Sequence, residues 1–410
     1  MTDQGRRHRN DLPIGRRVAE LRARRGMTQQ VFADRVGKSK SWVDKVERGV
    51  RNLDRLSAIE TVARALGVAP NVLLAGKARP EPATDAGDAV ERVREALARH
   101  DLPGSGSDGQ RTPSSVRDLD HQAGYAWTAY RNGHHPQVLR MLPDLLGDSR
   151  RAYRALTADA SAADLLVRVH RLAAQVLVKL GEANLAWLAA DRAMTAATGD
   201  PRRAGLAAIS LAQALRALRR GRLAMTAALT AVHQISPAPS HERPPEDVAL
   251  TGTLLIEAAL AAAACSDASA ADLTDHAAHL ATVHDGQHHC DDDGIGFGPT
   301  AVELARAVTD MSVGDHHRAV AAHRRATTGD VWHRLPAEHR AAHLIDITRA
   351  HLDLGDARAA GRALVTADGI APAEVRLRPA ARTALTAVLR AGPTPADVTR
   401  LAATVGLIPQ

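Results

Sequence analysis

Six short turns, each built around a glycine, constrain this chain more than any other feature. RNGHH at Gly133, KLGEA at Gly181, RRGRL at Gly221, SVGDH at Gly314, DLGDA at Gly355 and RAGPT at Gly392 each follow a helical stretch. Within 133–221 and within 314–392 the spacing is 37 to 48 residues, and a further turn without glycine fits at Cys265 and Ser266. An interval of that length holds two helices and a turn, a unit that cannot bury its apolar face alone and must stack on its neighbours. The pattern predicts about seven helix pairs over residues 116–410, wound as a right-handed superhelix.

Composition agrees. Four Trp, three Tyr and two Phe in 410 residues are too few for a β-sandwich, a barrel or a base-stacking RNA module. Ala, Leu and Arg dominate, and they favour helix, so the chain is expected to be all-α. The two cysteines, Cys265 and Cys290, form no disulfide framework, and Met1–Asn10 is polar and basic rather than an apolar leader. The expectation is a cytoplasmic protein with reduced thiols. No membrane span is expected, since even the run Ala258–Ala264 ends at Cys265, Ser266 and Asp267.

The charge is uneven. Residues 1–79 carry 18 Lys and Arg against 8 Asp and Glu, whereas the remaining 331 carry 35 against 38. All the excess positive charge lies in the first fifth of the chain, which points to an N-terminal module facing a polyanion.

Apolar spacing in that module predicts five short helices. Ile14, Val18 and Leu21 mark the first, up to Arg25. Thr28 caps a second, with Val31, Phe32 and Val36 on its buried face and Gly37 at its end. Ser39 caps a third, Lys40 to Arg48, whose inner face is Val43 and Val46. Leu56, Ile59, Val62, Ala63 and Leu66 mark a fourth, and Pro70 opens a fifth over 71–75.

The run from Ile14 to Leu74 resembles the Cro/cI-type (XRE) helix-turn-helix domain of phage repressors and bacterial regulators. The resemblance rests on Thr28-Gln29, the Ala33 and Gly37 pair, Ser39, and Glu47-Arg48-Gly49. It implies that the third helix enters the major groove. With Val43 and Val46 inward, Lys40, Ser41, Asp44 and Lys45 face outward near its start. The two lysines could donate to guanine, Ser41 to either purine, and Asp44 could accept from a cytosine amino group. The resemblance further implies a phosphate contact by Gln29, backbone contacts by Arg48, Arg51 and Asn52, and a structural ion pair of Glu47 with Arg22. Trp42 replaces the small hydroxyl residue usual there; it either packs beside the groove on sugar and phosphate or fills a gap against the second helix. Arg6, Arg7 and Arg9 read as a solvated arm or a phosphate-tracking one.

Domain boundaries follow. Residues 1–76 form the DNA-binding domain, 77–115 a linker with one helix at about 89–100, and 116–410 the repeat body. That linker helix either joins two chains or docks on the body. A domain of this type followed by tetratricopeptide-like repeats is similar to actinobacterial XRE regulators of that architecture, and more distantly to the peptide-receptor regulators of Gram-positive quorum sensing. In the body, Arg168, Arg171, Gln175 and Lys179 recur on one helical stripe, with Gln213, Arg216 and Arg220 in the next repeat. Tyr125, Trp127 and Tyr130 cluster on the opening helix. Together they suit an effector, peptide or small molecule, with an anionic group and an apolar part.

The tract around His288, His289 and Cys290 with Asp291 to Asp293 reads as a solvated loop, since adjacent residues converge poorly on one metal. No catalytic motif or phosphate-cradling glycine loop is present, so neither metal, cofactor nor enzymatic activity is expected. The leading expectation is a homodimeric transcriptional regulator on an inverted-repeat operator in double-stranded DNA, modulated by an effector. The alternative is a DNA-binding antitoxin or adaptor whose repeats dock a partner protein.

Overall fold

The computed structural model describes residues 14–51, 56–66, 73, 83–99, 115–156, 159–235, 244–283 and 296–408. The arginine arm, Asn52 and the tract 284–295 lie outside them. The fold is all-helical, as expected, and divides into two compact units, residues 1–85 and 86–410.

In the first unit, α1 (Ile14–Arg24), α2 (Gln29–Val36), α3 (Lys40–Glu47) and α4 (Leu56–Ala65) surround Val18, Phe32, Val43, Val46, Ile59 and Val62. Leu73, from the expected fifth helix, is buried with them. The local signals act as read. Thr28 and Ser39 each accept a hydrogen bond at 3.2 Å, from the Val31 and Trp42 amides, and Gly37 ends α2 at φ +66° in the left-handed region. Val31 does not: it is 43% exposed. An eight-residue helix has one inward stripe, filled here by Phe32, Ala33 and Val36, and position 31 lies about 200° around the axis from position 33.

Helix α5 (Ala83–Ala98) crosses the boundary at residues 85 and 86, and all but its first three residues belong to the second unit. Seven pairs follow: α6 (Val116–Arg131) with α7 (His135–Ala155), α8 (Ala160–Lys179) with α9 (Ala183–Ala196), α10 (Pro201–Ala217) with α11 (Gly221–Ile235), α12 (Pro245–Ala264) with α13 (Ala270–Val283), α14 (Pro299–Ser312) with α15 (His316–Thr327), α17 (Ala337–Asp353) with α18 (Ala357–Ile370), and α20 (Pro379–Arg390) with α21 (Ala396–Val405). The short α16 (Asp330–Arg334) and α19 (Pro372–Leu377) are insertions. Each pair's first helix packs on the first helix of the next, which makes the unit a helical-repeat array. Fully buried alanines such as Ala173, Ala174, Ala186, Ala189 and Ala190 let these helices approach closely. The opening helix α6 also touches α17, so the array's beginning meets its later part.

One expectation changes. The helix expected at about 89–100 starts at Ala83, within the stretch read as linker, and docks on the body. Val93 and Leu97 are fully buried in the core shared with α6 to α9, and Arg150 donates to the carbonyls of Ala96 and Arg99 at its end. At RRGRL the left-handed residue is Arg219, φ +62°, not Gly221. Gly221 is instead the buried first residue of α11, where an added Cβ would sit 2.8 Å from the Ala261 carbonyl oxygen. The glycine at that turn serves close approach to α12.

Among the described residues, α12 alone is long and apolar enough to cross a membrane, and most of it is buried within the array. The Phe297 ring packs against it at Gly252, where a Cβ would lie 2.1 Å from the ring.

Candidate nucleic-acid interface

The candidate interface is the outer face of α3. Its apolar positions, Val43 and Val46, are buried to 0% and 1% exposure, which fixes the helix's rotation. Lys40, Ser41 and Lys45 are consequently exposed and Asp44 half-buried on the opposite side. Asp44 forms an i,i+4 ion pair with Arg48, so two of the expected contact residues hold each other when the face is free. Trp42 is half-buried against the unit's core. After α3 the chain turns back, with the Arg51 amide donating to the Lys45 carbonyl at 3.0 Å, and the Arg51 side chain is exposed on that turn.

Behind this face a polar cluster fixes α3 to α1. Arg22 grips Glu47 with two hydrogen bonds, Nε to Oε1 at 2.6 Å and Nη2 to Oε2 at 3.0 Å, while its Nη1 donates to the Met27 carbonyl at 2.6 Å. Glu47 is only 6% exposed. The hydrogen bond to Glu47 raises the pKa of Arg22 further, against the effect of burial. Gln29 joins the pair by donating from Nε2 to Oε2 of Glu47 at 2.8 Å. One amide hydrogen and the carbonyl oxygen of Gln29 stay outside that bond, so its orientation is set from within the domain.

Sequence reasoning missed two residues. Gly15 is where α1 crosses the end of α3, and a Cβ there would lie 2.0 Å from the Val46 carbonyl oxygen. Arg17 belongs to a basic run that reads as surface, yet it is buried and donates from Nη1 to the Leu73 carbonyl at 2.9 Å. Desolvation lowers its pKa. A glycine early in an otherwise good helix was the available signal for the first; nothing local distinguishes Arg17 from Arg16.

In the body, the expected effector residues do not form one site. Trp127 is fully buried and donates from Nε1 to the Arg168 carbonyl at 3.3 Å, so it belongs to the core and not to a ligand surface. Tyr125 is half-buried and hydrogen-bonded by Gln137. Arg171 is buried, its guanidinium 5.4 Å from the Trp127 ring centre, and Arg168 pairs with Asp120 at 2.7 Å. Gln213 and Arg216 both bind Glu257 at 2.7 Å, while Gln175 is half-buried on α8. Lys179, from the same stripe, reaches Glu338 and Glu374. Ion pairs to other helices hold Arg168, Lys179 and Arg216, each to a different acidic partner.

Residues 13–75 match the family model of a helix-turn-helix domain. No curated protein matches the chain. Among solved structures it is similar to PlcR of Bacillus thuringiensis, determined in complex with the peptide PapR7 and DNA, at 13% identity and a TM-score of 0.32, over 66% of this chain and 95% of that one. ComR from S. thermophilus, in complex with DNA and its signalling peptide ComS, is similar at 11% identity and a TM-score of 0.27, over 87% and 99%. Both superpose too loosely to assign a role to any residue here. The N-terminal unit is a helix-turn-helix DNA-binding domain, which rests on the family match and the cap, turn and core geometry of α1 to α4.

Proposed function

We propose that the protein is a sequence-specific transcriptional regulator of the Cro/cI type that binds an inverted-repeat operator as a homodimer, and that its helical body receives an effector. The observation that carries this reading is the exposed face of α3, with Lys40, Ser41 and Lys45 outward while Val43 and Val46 lock the helix from behind. In this reading Lys40, Ser41, Asp44 and Lys45 read base edges, and Trp42 lies at the margin of the groove. Gln29, Arg48, Arg51 and Asn52 hold the phosphate backbone, which positions the domain without reading sequence. The Asp44–Arg48 pair opens on binding, freeing the carboxylate for a cytosine amino group and the guanidinium for a phosphate.

Selection of bound sequences from a random pool tests this. Lys45→Ala is expected to relax preference at one base pair and to weaken the selected site by about 1–3 kcal/mol. Arg51→Ala is expected to weaken all sequences alike and to reduce the salt slope by about one. An unchanged base preference in Lys45→Ala overturns the assignment of α3 as the reading helix.

A further inference from the structure

The second helices of the repeat pairs differ in what they turn outward. α7 exposes Arg140, Asp144, Arg151 and Arg154, and α13 exposes Asp272 and Asp275, as solvated helix faces do. Between them in the array, α9 and α11 both pack on α10, and their outward sides carry little charge. Trp187 of α9 is 43% exposed and Leu223 of α11 is 58% exposed. The inward sides are filled by other residues, Leu185 and Ala189 on α9 and Ala224 and Ala228 on α11. Position 187 lies about 200° around the helix axis from position 185, on the side that the array's own core does not use.

The polar groups on these outward sides are already satisfied. The Thr195 hydroxyl donates to the Asp191 carbonyl and the Thr226 hydroxyl to the Arg222 carbonyl, both at 3.0 Å and both within their own helix. Covering them therefore strands no donor. The exposed carboxylate and guanidinium of the two helices are Asp191 and Arg222. Each interacts with an opposite charge beside it, Asp191 with Arg192 and Arg222 with Asp267, so neither sign is in excess. An exposed tryptophan in surroundings depleted of charge has the composition of an interface core.

The charge also selects the occupant. Nucleic acid needs a cationic surface and a charged peptide needs a complementary one, and this face supplies neither. A two-fold contact sets one patch against its own copy, which suits a face without an excess of either sign. We propose that the outward sides of α9 and α11 form the surface through which two copies of this chain associate, with Trp187 and Leu223 at its centre. This rests on the homodimeric reading of the protein and names the contact that the reading requires.

The test uses the full-length chain. Sedimentation at micromolar concentrations is expected to show a dimer for the wild type. Trp187→Glu and Leu223→Glu, made separately, each put a carboxylate at the centre of the contact and are expected to raise the dimer dissociation constant at least tenfold. Both positions are exposed, so folding is retained, as circular dichroism and thermal melting will report, and either folded variant alone decides the matter. Thr366→Glu places the same charge on an exposed position of α18 and is expected to leave the dimer intact. Operator binding is measured in parallel. The two interface variants are expected to lose at least tenfold on the inverted repeat and to keep wild-type affinity for a single half-site. A wild-type dimer that the folded variants retain overturns the assignment of this face and leaves the homodimer reading standing. Dissociation by Thr366→Glu to the same extent makes the effect one of net charge and also overturns the assignment. A wild-type chain that sediments as a monomer, both free and on the selected operator, overturns the face and the homodimer together.

Discussion

His135 and Glu374 meet at 2.7 Å inside the helical body, 239 residues apart in sequence, with 1% and 0% of their side chains exposed. His135 opens the second helix of the array and Glu374 lies on α19, so this contact joins the array's start to its later part. Lys179 stands 3.4 Å from the same carboxylate and also pairs with Glu338, which accepts a hydrogen bond from the Tyr130 hydroxyl at 3.2 Å. Burial opposes the charge of Glu374, but Lys179, His135 and Arg378 together hold its pKa down at about 2. The same two glutamates raise the pKa of Lys179 against its own desolvation.

Glu374→Ala leaves Lys179 and Arg378 buried without that carboxylate. Removing one member of a buried ionic cluster typically costs about 3–5 kcal/mol, and a loss in that range is expected in urea denaturation of the full chain. A loss under about 1 kcal/mol would mean that the contact contributes nothing net to closure of the array. The pH sign follows from the depressed pKa. Stability from Glu374 is complete above its ordinary pKa near 4.5 and is lost as pH falls toward about 2.

A second pH effect lies at milder acidity. His170 is buried, and its ring nitrogen Nδ1 donates to the Leu166 carbonyl at 2.9 Å. Desolvation, helped by the charges of Arg192 and Arg150, lowers its pKa to about 4 in spite of that bond. Here the folded state resists protonation that the unfolded chain accepts below 6.5, so the contribution is complete above 6.5 and lost as pH falls toward 4. The His323–His343 pair, hydrogen-bonded at 2.9 Å, acts in the same direction, with His323 lowered to about 4 by burial and by His351 and Arg324. His170→Gln is expected to remove about 2 kcal/mol of the stability lost between pH 7 and pH 5, read from urea midpoints at the two values. An identical pH profile in wild type and variant would contradict a neutral, buried His170.

These buried contacts mark where sequence reading stops. Thr28, Gly37 and Ser39 were legible because a cap or a helix end depends on the residue itself and its next few neighbours. The seven pairs were legible because each turn repeats the same local chemistry. Glu374, His135 and Lys179 carry no such sign, since what makes them a cluster is the meeting of helices more than 150 residues apart. Trp127 read as ligand-facing because its helix opens the array, whereas packing by α7 and α8 encloses it. The start of α5 at Ala83 was hidden because it falls within the stretch read as linker, ahead of Ala89 and Val90 where the apolar pattern begins.

The crossing of α1 and α3 supplies a sharper mutational test. Gly15→Ala would place a Cβ 2.0 Å from the Val46 carbonyl oxygen, and the obstacle is backbone, which cannot rotate away. One helix must shift, so about 2–3 kcal/mol of domain stability is expected to be lost in spite of the better helix propensity of alanine. Glu47→Ala acts on the same junction by leaving Arg22 without its carboxylate and Gln29 without its acceptor. Both variants are expected to weaken all operators together, because they loosen the seating of α3 and leave its outward side chains in place. Thermal melting of the helix-turn-helix unit and binding to matched and mismatched sites check this. A changed base preference in Glu47→Ala would place that residue at the DNA surface instead.

Assembly is the remaining question with a direct measurement. The outward face of α3 offers only a few side chains to base edges, a small interface for one domain, and the proposed homodimer would present two such faces. On a two-fold dimer the half-site centres fall about 34 Å apart, one helical turn, or a multiple of that. The first unit has its own apolar core, centred on Phe32, Val43, Val46 and Ile59, so residues 1–85 can be tested as a fragment. If the body supplies the dimer contacts, the fragment is expected to bind the selected operator at least tenfold more weakly than the full chain. Its salt slope should also be about half as steep, since half as many phosphates are neutralised per binding event. Sedimentation of the full chain at the same concentrations should then show a dimer. Equal affinity and equal salt slope for fragment and full chain would remove the body from dimer formation.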